Sequence, residues 1–456
     1  MLDKDTLKDF LAAVARLDAG FANLPAFDQA IPGRERIAEV LSEAAVKLHD
    51  NYPYFHPLYA GQMLKPPHPI ARLAYGLAMW INPNNHALDG GRASSAMEKE
   101  AVEELAAMFG WRNSLGHLCS GGTIANLEAL WIAGRVHPGK KIVASEQGHY
   151  THARVSGVLQ LDFEAIPSDR QGRMDIKALD QKARRGDVGT VVASIGTTAT
   201  GSIDPLAEIL ALREKHGFRI HADAAYGGYF TLADNLGAAA RNAFDRLSEV
   251  DSIVVDPHKH GLQPYGCGCV LFRDPAAVQY YKHDSPYTYF SSGDLHLGEI
   301  SLECSRPGAA AVGLWATQKL LPLARDGQFA RGLAQSRDAA LALYRALAND
   351  SRWIVAFEPE LDIIIYAPRA ADARSISQLS QKAFSEAAGR GLHLALAELP
   401  SKFFANSAPE VDWNEDRITC LRSVLMKPEH FDWVSRIFAI LGQALDASRA
   451  SAAGKS

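Results

Sequence analysis

The feature that most constrains the fold is a regular alternation of two kinds of segment between residues 96 and 330. Short runs rich in β-branched residues, such as KKIVAS at 140–145 and VGTVVAS at 188–194, alternate with stretches whose apolar residues recur at helical spacing. Strands that are separated by helices pair in parallel, and the helices cover the faces of the sheet. The sequence therefore predicts a large α/β domain around a mostly parallel sheet.

The whole chain is long enough for more than one core, with 456 residues of which 47% are hydrophobic. Helices are predicted near Leu73–Ile81, at Met97–Phe109 and at Pro307–Leu321, and the run WIVAFEPELDIIIYAP at 353–368 is predicted to form one strand. We divide the chain into an N-terminal segment of helices and loops (1–95), the large domain (96–330), a smaller C-terminal α/β domain (331–446) and a disordered tail (447–456).

The composition argues against several classes of binding partner. The net charge is -5, so nothing favours binding to nucleic acid or to an acidic membrane surface. No apolar run has the length of a membrane span, and the charged N-terminus does not fit a signal peptide. Five scattered cysteines predict reduced thiols and a cytoplasmic protein. The nearest pair, Cys267 and Cys269, has no histidine pair at ligand spacing, so we predict no metal site.

The first unusual motif is SGGT at 120–123, where a short apolar run ends and a helix begins at once. Gly121 and Gly122 let backbone N–H groups close on an anion at the positive end of the helix dipole, and Thr123 adds a hydroxyl. A plain helix cap explains the same residues equally well.

Two further strand ends carry ionisable side chains. Asp223 follows the strand FRIHA, and the small neighbours Ala224 and Ala225 leave room for a flat ligand against the backbone. A carboxylate in so apolar a setting needs a positive partner, although a turn-capping role is the common alternative. His149 follows another strand and suits a base, a ligand or a stacking plate, or a purely structural role.

The fourth motif is DPHKHG, which places Lys259 at the end of the strand SIVV between His258 and His260. Most lysines are solvated, but a partly desolvated lysine has an amine that attacks carbonyl groups. We interpret His152 and His260 as structural. An anion cradle, a buried carboxylate, a flat plate and a lysine together match pyridoxal phosphate, whose phosphate, ring nitrogen and aldehyde need these groups.

In their order along the chain, SGGTIANLEAL, HADAAYGG, DPHKHG and LECSRPGA resemble the motifs of the group II pyridoxal-phosphate-dependent amino-acid decarboxylases. The resemblance is close over about residues 50–330 and loose beyond. It implies the aspartate-aminotransferase fold (fold type I), with a large seven-stranded sheet domain and a smaller C-terminal α/β domain. It also implies a homodimer whose active site lies at the subunit interface, with residues 1–95 contributing to the dimer and the pocket.

The resemblance also implies roles for single residues. Lys259 would form the Schiff base with the cofactor, and Asp223 would keep the pyridine nitrogen protonated. Ala225 and His149 would lie against the two faces of the ring. The phosphate would be surrounded by Gly121, Gly122, Thr123 and His258. Thr198 would sit near the ring oxygen or the substrate carboxylate, and Ser305 would reach the phosphate from the neighbouring subunit.

The chain departs from its aromatic-specific relatives in the segment that carries their proton donor, a tyrosine on a long mobile loop. Here residues 286–305 are short, and Tyr287, Tyr289 and His296 are the candidates, with Tyr289 preferred. HKHGLQPYG and SRPGA are also similar to motifs of sphingosine-phosphate lyase, which cleaves Cα–Cβ. A lyase of that kind, an aminotransferase and a scaffold without cofactor remain as alternatives.

The substrate pocket is expected in the segments YFHPLYAGQM and INPNNHALDGG, which contain neither Lys nor Arg. Candidate contacts are Tyr59, Gln62, Asn85 and His86, each of which could instead pack a loop. Arg422 could pair with a substrate carboxylate or be an ordinary interface arginine. This aromatic and polar set predicts decarboxylation of an L-amino acid, with a slight preference for an aromatic one.

Overall fold

The computed structural model describes residues 3–25, 27, 33–282 and 296–453. Its strands are β1 Leu115–Cys119, β2 Lys141–Ser145, β3 Phe163–Ile166, β4 Val188–Ser194, β5 Arg219–Asp223, β6 Ser252–Val255, β7 Gly268–Phe272, β8 Trp353–Val355, β9 Ile363–Pro368, β10 Ala395–Pro400 and β11 Arg417–Val424. Its helices are α1 Lys4–Ala19, α2 Arg34–Leu48, α3 Pro69–Ala78, α4 Leu88–Met108, α5 Gly122–Val136, α6 Thr151–Val158, α7 Ile176–Ala183, α8 Leu206–His216, α9 Ala238–Asp245, α10 Val278–Tyr281, α11 Gly308–Leu320, α12 Gln328–Ala348, α13 Ala373–Gly389 and α14 His430–Ala453.

The large sheet has seven strands in the order β1-β7-β6-β5-β4-β2-β3. Strand β7 is antiparallel to both of its neighbours, and the remaining pairs are parallel. Every residue of β4, VGTVVAS, is buried, as expected for a parallel strand whose two faces are both covered by helices. The predicted mostly parallel α/β domain is confirmed.

The second sheet is antiparallel, in the order β10-β11-β9-β8. The single strand predicted at 353–368 is wrong, because this run forms β8 and β9 with a connection between them. That connection contains Pro359, which has no N–H for a ladder, and the buried Asp362, whose side chain bonds outside the sheet.

Three helix boundaries differ from the prediction for local reasons. Helix α3 begins at Pro69, earlier than expected, because the His68 ring accepts the N–H of Ile70 and Pro suits a first helical turn. Helix α4 begins at Leu88 instead of Met97 and changes direction at Gly91. Helix α14 runs to Ala453, so most of the predicted disordered tail is helical, and the buried Ser448 hydroxyl bonds the Ala444 carbonyl at 2.7 Å.

The N-terminal segment begins with α1 and α2, and no residue of either helix is fully buried. Apolar side chains such as Leu11, Leu41 and Val46 are more than 60% exposed, at 63%, 65% and 65%.

Within the described residues, no helix is both long enough and apolar enough to cross a membrane. The boundaries of the domains remain a prediction.

A buried carboxylate on α4 joins four parts of the large domain. Glu98 is 2% exposed, and its Oε1 accepts the Leu118 N–H of β1 at 3.0 Å and pairs with the buried Arg306 at 2.9 Å. Its Oε2 accepts the side-chain amide of Asn85 at 2.6 Å. This one side chain therefore fixes the edge strand and the loops before α4 and α11 against each other.

We predict that Arg306→Met lowers the free energy of unfolding by about 3–5 kcal/mol, because it leaves the Glu98 charge buried without compensation. Urea denaturation measures the change, and adding Glu98→Gln should recover part of it. Arg36→Met is the control, since the Arg36–Glu39 pair is largely exposed and such pairs contribute little. A loss for Arg306→Met no larger than that of the control would contradict a structural role for the pair.

Candidate active site

The carboxyl ends of the parallel strands open on a cleft of about 360 Å³. In open α/β sheets this edge is where ligands bind. The side chains and backbone that line the cleft come from the ends of β1, β2, β4, β5 and β6 and include Gly121, Gly122, Thr123, His149, Thr198, Asp223, Ala225, His258 and Lys259. The fold thus brings together in one cleft nine residues that the sequence indicated.

The first wall of the cleft is the start of α5. Gly121 has φ of +153°, which favours glycine, and a Cβ on Gly122 would lie 2.7 Å from Asp256 Oδ2. The two glycines therefore leave space that any other residue would fill, directly at a helix N-terminus. His258 borders this space, and burial lowers the pKa of its ring, which favours the neutral form. Its Nδ1 is buried without a hydrogen-bond partner among the described residues.

The second wall carries Asp223 at the end of β5. Its Oδ2 lies 2.7 Å from His152 Nε2, and its Oδ1 accepts the Ala225 N–H at 3.1 Å. Burial alone raises the pKa of the Asp223 carboxyl. The hydrogen bond and charge of His152, helped by Lys259, outweigh burial and hold that pKa well below its usual range. Asp223 is therefore an anion at neutral pH and remains accessible from the cleft.

His152 is a residue whose importance the sequence analysis missed when it interpreted this side chain as structural. It lies in the first turn of α6 and is only 1% exposed, so it acts on the cleft through Asp223. The spacing of three residues from His149 could not have identified it, because α6 begins at Thr151 and His149 lies before the helix. His149 itself lines the cleft, and burial lowers the pKa of its ring.

Lys259 reaches the cleft from the loop after β6, and its Nζ lies 3.0 Å from Asp256 Oδ2. Asp256 is 3% exposed and is a second residue that the sequence analysis missed. The neighbour His260 faces away, since its Nε2 lies 3.2 Å from Asp362 Oδ2 in the interior. The structural interpretation of His260 is therefore confirmed.

Three further predicted residues, Tyr59, Gln62 and Arg422, lie next to Thr198 but do not themselves line the cleft. The Arg422 guanidinium, 4% exposed, donates to the Thr198 carbonyl at 2.6 Å and to Gln62 Oε1 at 3.3 Å. Tyr59 lies near Gln62, whose backbone N–H donates to the Tyr59 hydroxyl at 3.4 Å. These contacts fix Arg422 inside the chain, at the boundary between the cleft and the small domain.

Other predicted residues lie apart from the cleft of their own chain. Asn85 is fully buried, and its amide is engaged by Glu98 and by the Ser94 hydroxyl, so we do not retain it as a substrate contact. His86 packs beside Gly298, and Ser305 is exposed and accepts a hydrogen bond from Asn84 at 3.2 Å.

Of the three candidates for the proton donor, the structure describes only His296. His296 is fully buried, and its Nδ1 accepts the Leu88 N–H at 3.1 Å, so its ring faces α4 instead of the cleft. Tyr287 and Tyr289 lie outside the described residues. In the part of the chain that the structure describes, no cluster of three His, Cys, Asp or Glu side chains could hold a metal ion.

Comparison with known proteins agrees with this geometry. Residues 133–367 match the pyridoxal-dependent decarboxylase conserved domain. The chain is 29% identical over 392 residues to an L-tyrosine decarboxylase of Enterococcus faecium, an alignment that covers 64% of each chain. It is 28% identical over 336 residues to a probable L-tyrosine/L-aspartate decarboxylase of Methanococcus maripaludis, covering 72% of this chain and 84% of the relative.

Solved structures show the same fold at low identity. Oryza sativa TDC with PLP and tryptamine superposes with a TM-score of 0.78 at 16% identity, over 98% of this chain and 99% of that one. Mouse CSAD gives 0.76 at 19% identity, over 97% and 99%. The fold is that of the fold type I pyridoxal-phosphate enzymes. The chain belongs to the pyridoxal-dependent decarboxylase family, and the cleft residues fit its cofactor, pyridoxal phosphate.

We predict that His152→Leu raises the pKa of Asp223, because burial then acts without the opposing hydrogen bond. The Asp223 charge is present above its pKa and is lost as the pH falls through it, so a higher pKa moves that loss towards neutral pH. Cofactor retention after dialysis should fall about tenfold at mildly acidic pH and less at alkaline pH.

The control is His216→Leu, which removes a His–Asp pair of the same length, 2.7 Å, from Asp180 on another face of the domain. His152→Gln, which keeps a donor, should restore part of the retention. A loss in His152→Leu that is equal at every pH would contradict control of the Asp223 charge by His152.

Proposed function

We propose that this protein removes the α-carboxyl group of an L-amino acid as CO2, with pyridoxal phosphate as its cofactor. The observation that carries the proposal is the convergence of a charged, buried Asp223, the Lys259 amine and a glycine-lined helix N-terminus on one cleft. Membership of the decarboxylase family supports the same reaction.

In this proposal each wall of the cleft holds one part of the cofactor. The phosphate would sit at Gly121, Gly122 and Thr123, where backbone N–H groups and the helix dipole favour an anion. Asp223 would bind the ring nitrogen, and Ala225 and His149 would contact the ring faces. When bound, pyridoxal phosphate supplies an electron sink for the bond that breaks at the substrate Cα.

The side chains of the protein have three further tasks. Asp223, kept charged by His152, would hold a proton on the ring nitrogen and so strengthen the electron sink through a fixed charge. Lys259 would hold the cofactor covalently, with Asp256 orienting its amine at 3.0 Å. A tyrosine of the segment 286–305, for which we prefer Tyr289, would return a proton to Cα.

The substrate would lie between the cleft and the small domain. Arg422 and Thr198 are in contact at this boundary, and Gln62, Tyr59 and the partly exposed Tyr54 lie behind them. The rings of Tyr54 and Tyr59 meet edge to face at 4.9 Å. Aromatic side chains near the cleft favour an aromatic amino acid, and the relative named for L-tyrosine supports that preference, whereas the second relative is named for L-tyrosine and L-aspartate alike.

A panel of L-amino acids with CO2 and amine detection tests the reaction. L-tyrosine or L-tryptophan should release CO2 in preference to L-glutamate and L-aspartate. Lys259→Ala should abolish turnover and also the borohydride-dependent labelling of the cofactor-binding peptide, because the covalent attachment is lost. Aldehyde from a phosphorylated sphingoid base, without CO2 from any amino acid, would instead identify a Cα–Cβ lyase.

We further propose that the active form is a homodimer in the cytoplasm, where the five free thiols would stay reduced. Ser305 is exposed and stands outside the cleft of its own chain, which suits a contact with the cleft of a partner. The apolar side chains exposed on α1 and α2 support an interface that involves the N-terminal segment.

Subunit mixing tests whether Ser305 acts across the interface. Lys259→Ala and Ser305→Glu should each be inactive alone, the second because it repels the phosphate. A mixed dimer should contain one intact site, so about a quarter of wild-type activity should return after joint refolding. No recovery, with mixed dimers verified by mass, would mean that Ser305 serves its own chain.

A further inference from the structure

A second cavity, of about 510 Å³, lies on the other side of the Lys259 loop. It is bounded by residues 65–69, by the start of α12 and by residues 427–429. Among the described residues that line it, four are permanently or commonly cationic and one is acidic: Lys65, Lys427, Arg72, Arg331 and the carboxylate Glu429. The charge of this cavity is therefore strongly unbalanced.

Lys427 and Lys65 are the least exposed of the four cations. Lys427 is 4% exposed, and its Nζ donates to the Tyr59 carbonyl at 2.6 Å. Lys65 is half-buried, and its Nζ donates to the Met426 carbonyl at 3.2 Å. An ammonium group has three N–H donors, and each lysine uses one on a backbone carbonyl. No carboxylate of the described residues lies within ion-pair distance of either Nζ.

The chain offsets the cost of burying these lysines only in part, through the more distant charges of Asp362 and Glu429 and through the Tyr59 ring, whose centre lies 5.4 Å from Lys427 Nζ. Burial lowers the pKa of Lys65 to about 8, and burial together with the charge of Lys65 lowers the pKa of Lys427 to about 7. Buried charges in proteins are normally paired or hydrogen-bonded to opposite charges. An anion between the two ammonium groups would supply that partner.

The nearest internal carboxylate is already committed elsewhere. Asp362 is fully buried, accepts the Tyr226 hydroxyl at 2.6 Å and lies 3.2 Å from His260 Nε2. At the rim, Arg72 and Arg331 are exposed, and Arg331 gives one donor to the Asp326 carbonyl at 2.7 Å. Glu429 is exposed, and its charge raises the pKa of Lys65 and Lys427 without a direct ion pair among the described residues.

We propose that this cavity is a binding site for a small dianion that carries a phosphate group, distinct from the catalytic cleft. A dianion can accept donors from both lysines at once, and the arginines at the rim add the forked donors that suit phosphate. Apolar side chains such as Pro66, Leu321 and Phe329 share the rest of the lining with the polar side chains His68, Gln328 and Gln335. The inference is independent of the reaction proposed for the cleft.

The position of the cavity links it to the catalytic loop. His260 lines the cavity and directly follows Lys259 in sequence, while Tyr226 lines the cleft. Asp362 accepts the Tyr226 hydroxyl and pairs with His260, so one layer of side chains separates the two spaces.

The test uses the cofactor-saturated enzyme, in which the phosphate site of the cleft is filled, and inorganic phosphate as the probe. Trace acetylation followed by peptide mass spectrometry measures the reactivity of each lysine. Phosphate should slow acetylation of Lys65 and Lys427, and chloride at equal ionic strength should not. Lys382, which is exposed on α13, should react equally with both salts.

Binding variants complete the test by calorimetry. Lys427→Met and Lys65→Met should each weaken phosphate binding about tenfold or more, since each removes a charged donor. Lys382→Met should leave it unchanged, and Arg331→Met at the exposed rim should weaken it even if a lysine variant fails to fold. The proposal would be overturned if chloride protected the two lysines as well as phosphate does. It would also be overturned if protection depended on protein concentration alone, because a second copy of the chain would then be the occupant.

Discussion

The catalytic half of this structure depends on keeping one buried carboxylate charged. Asp223 lies inside the domain, where burial favours the neutral acid, and His152 reverses that preference through a contact of 2.7 Å. His152 reaches Asp223 because it lies in the first turn of α6, the helix that follows β2. A residue in the connection after β2 therefore pairs with a residue at the end of β5. The same sheet brings β6 beside β5, in the register Asp223–Val254, and so places the Lys259 loop at the same edge.

Much of this arrangement could be predicted from the sequence, because it is encoded locally. Apolar runs of strand length separated by helical periodicity indicate a parallel sheet, and the residues at strand ends then meet at one edge. This is why Gly121, His149, Asp223 and Lys259 could be expected in one cleft, where the structure places them. The prediction needed no knowledge of which strand neighbours which.

The partners of these residues could not be predicted in the same way. His152 and Asp256 matter because of the groups they touch, and those contacts exist only after the strands have been ordered. Asn85 was predicted as a substrate contact but is buried against Glu98. Nothing in the local sequence of the loop before α4 indicates that this polar residue will be buried. The break between β8 and β9 likewise follows from Asp362, whose partners lie in the large domain.

Charge compensation also separates the two sides of the Lys259 loop. On the side of the catalytic cleft the buried ionisable groups have partners within the chain, since Asp223 faces His152 and Lys259 faces Asp256. Asp362 is compensated too, by His260 and Tyr226, and it forms the wall between the two spaces. On the far side the hydrogen bonds of Lys65 and Lys427 go to backbone carbonyls, and Lys427 also faces the Tyr59 ring at 5.4 Å, but neither has a carboxylate partner among the described residues. On the cleft side of the Lys259 loop the chain pairs its own buried charges. In the second cavity it leaves two lysines available to an anion from solution.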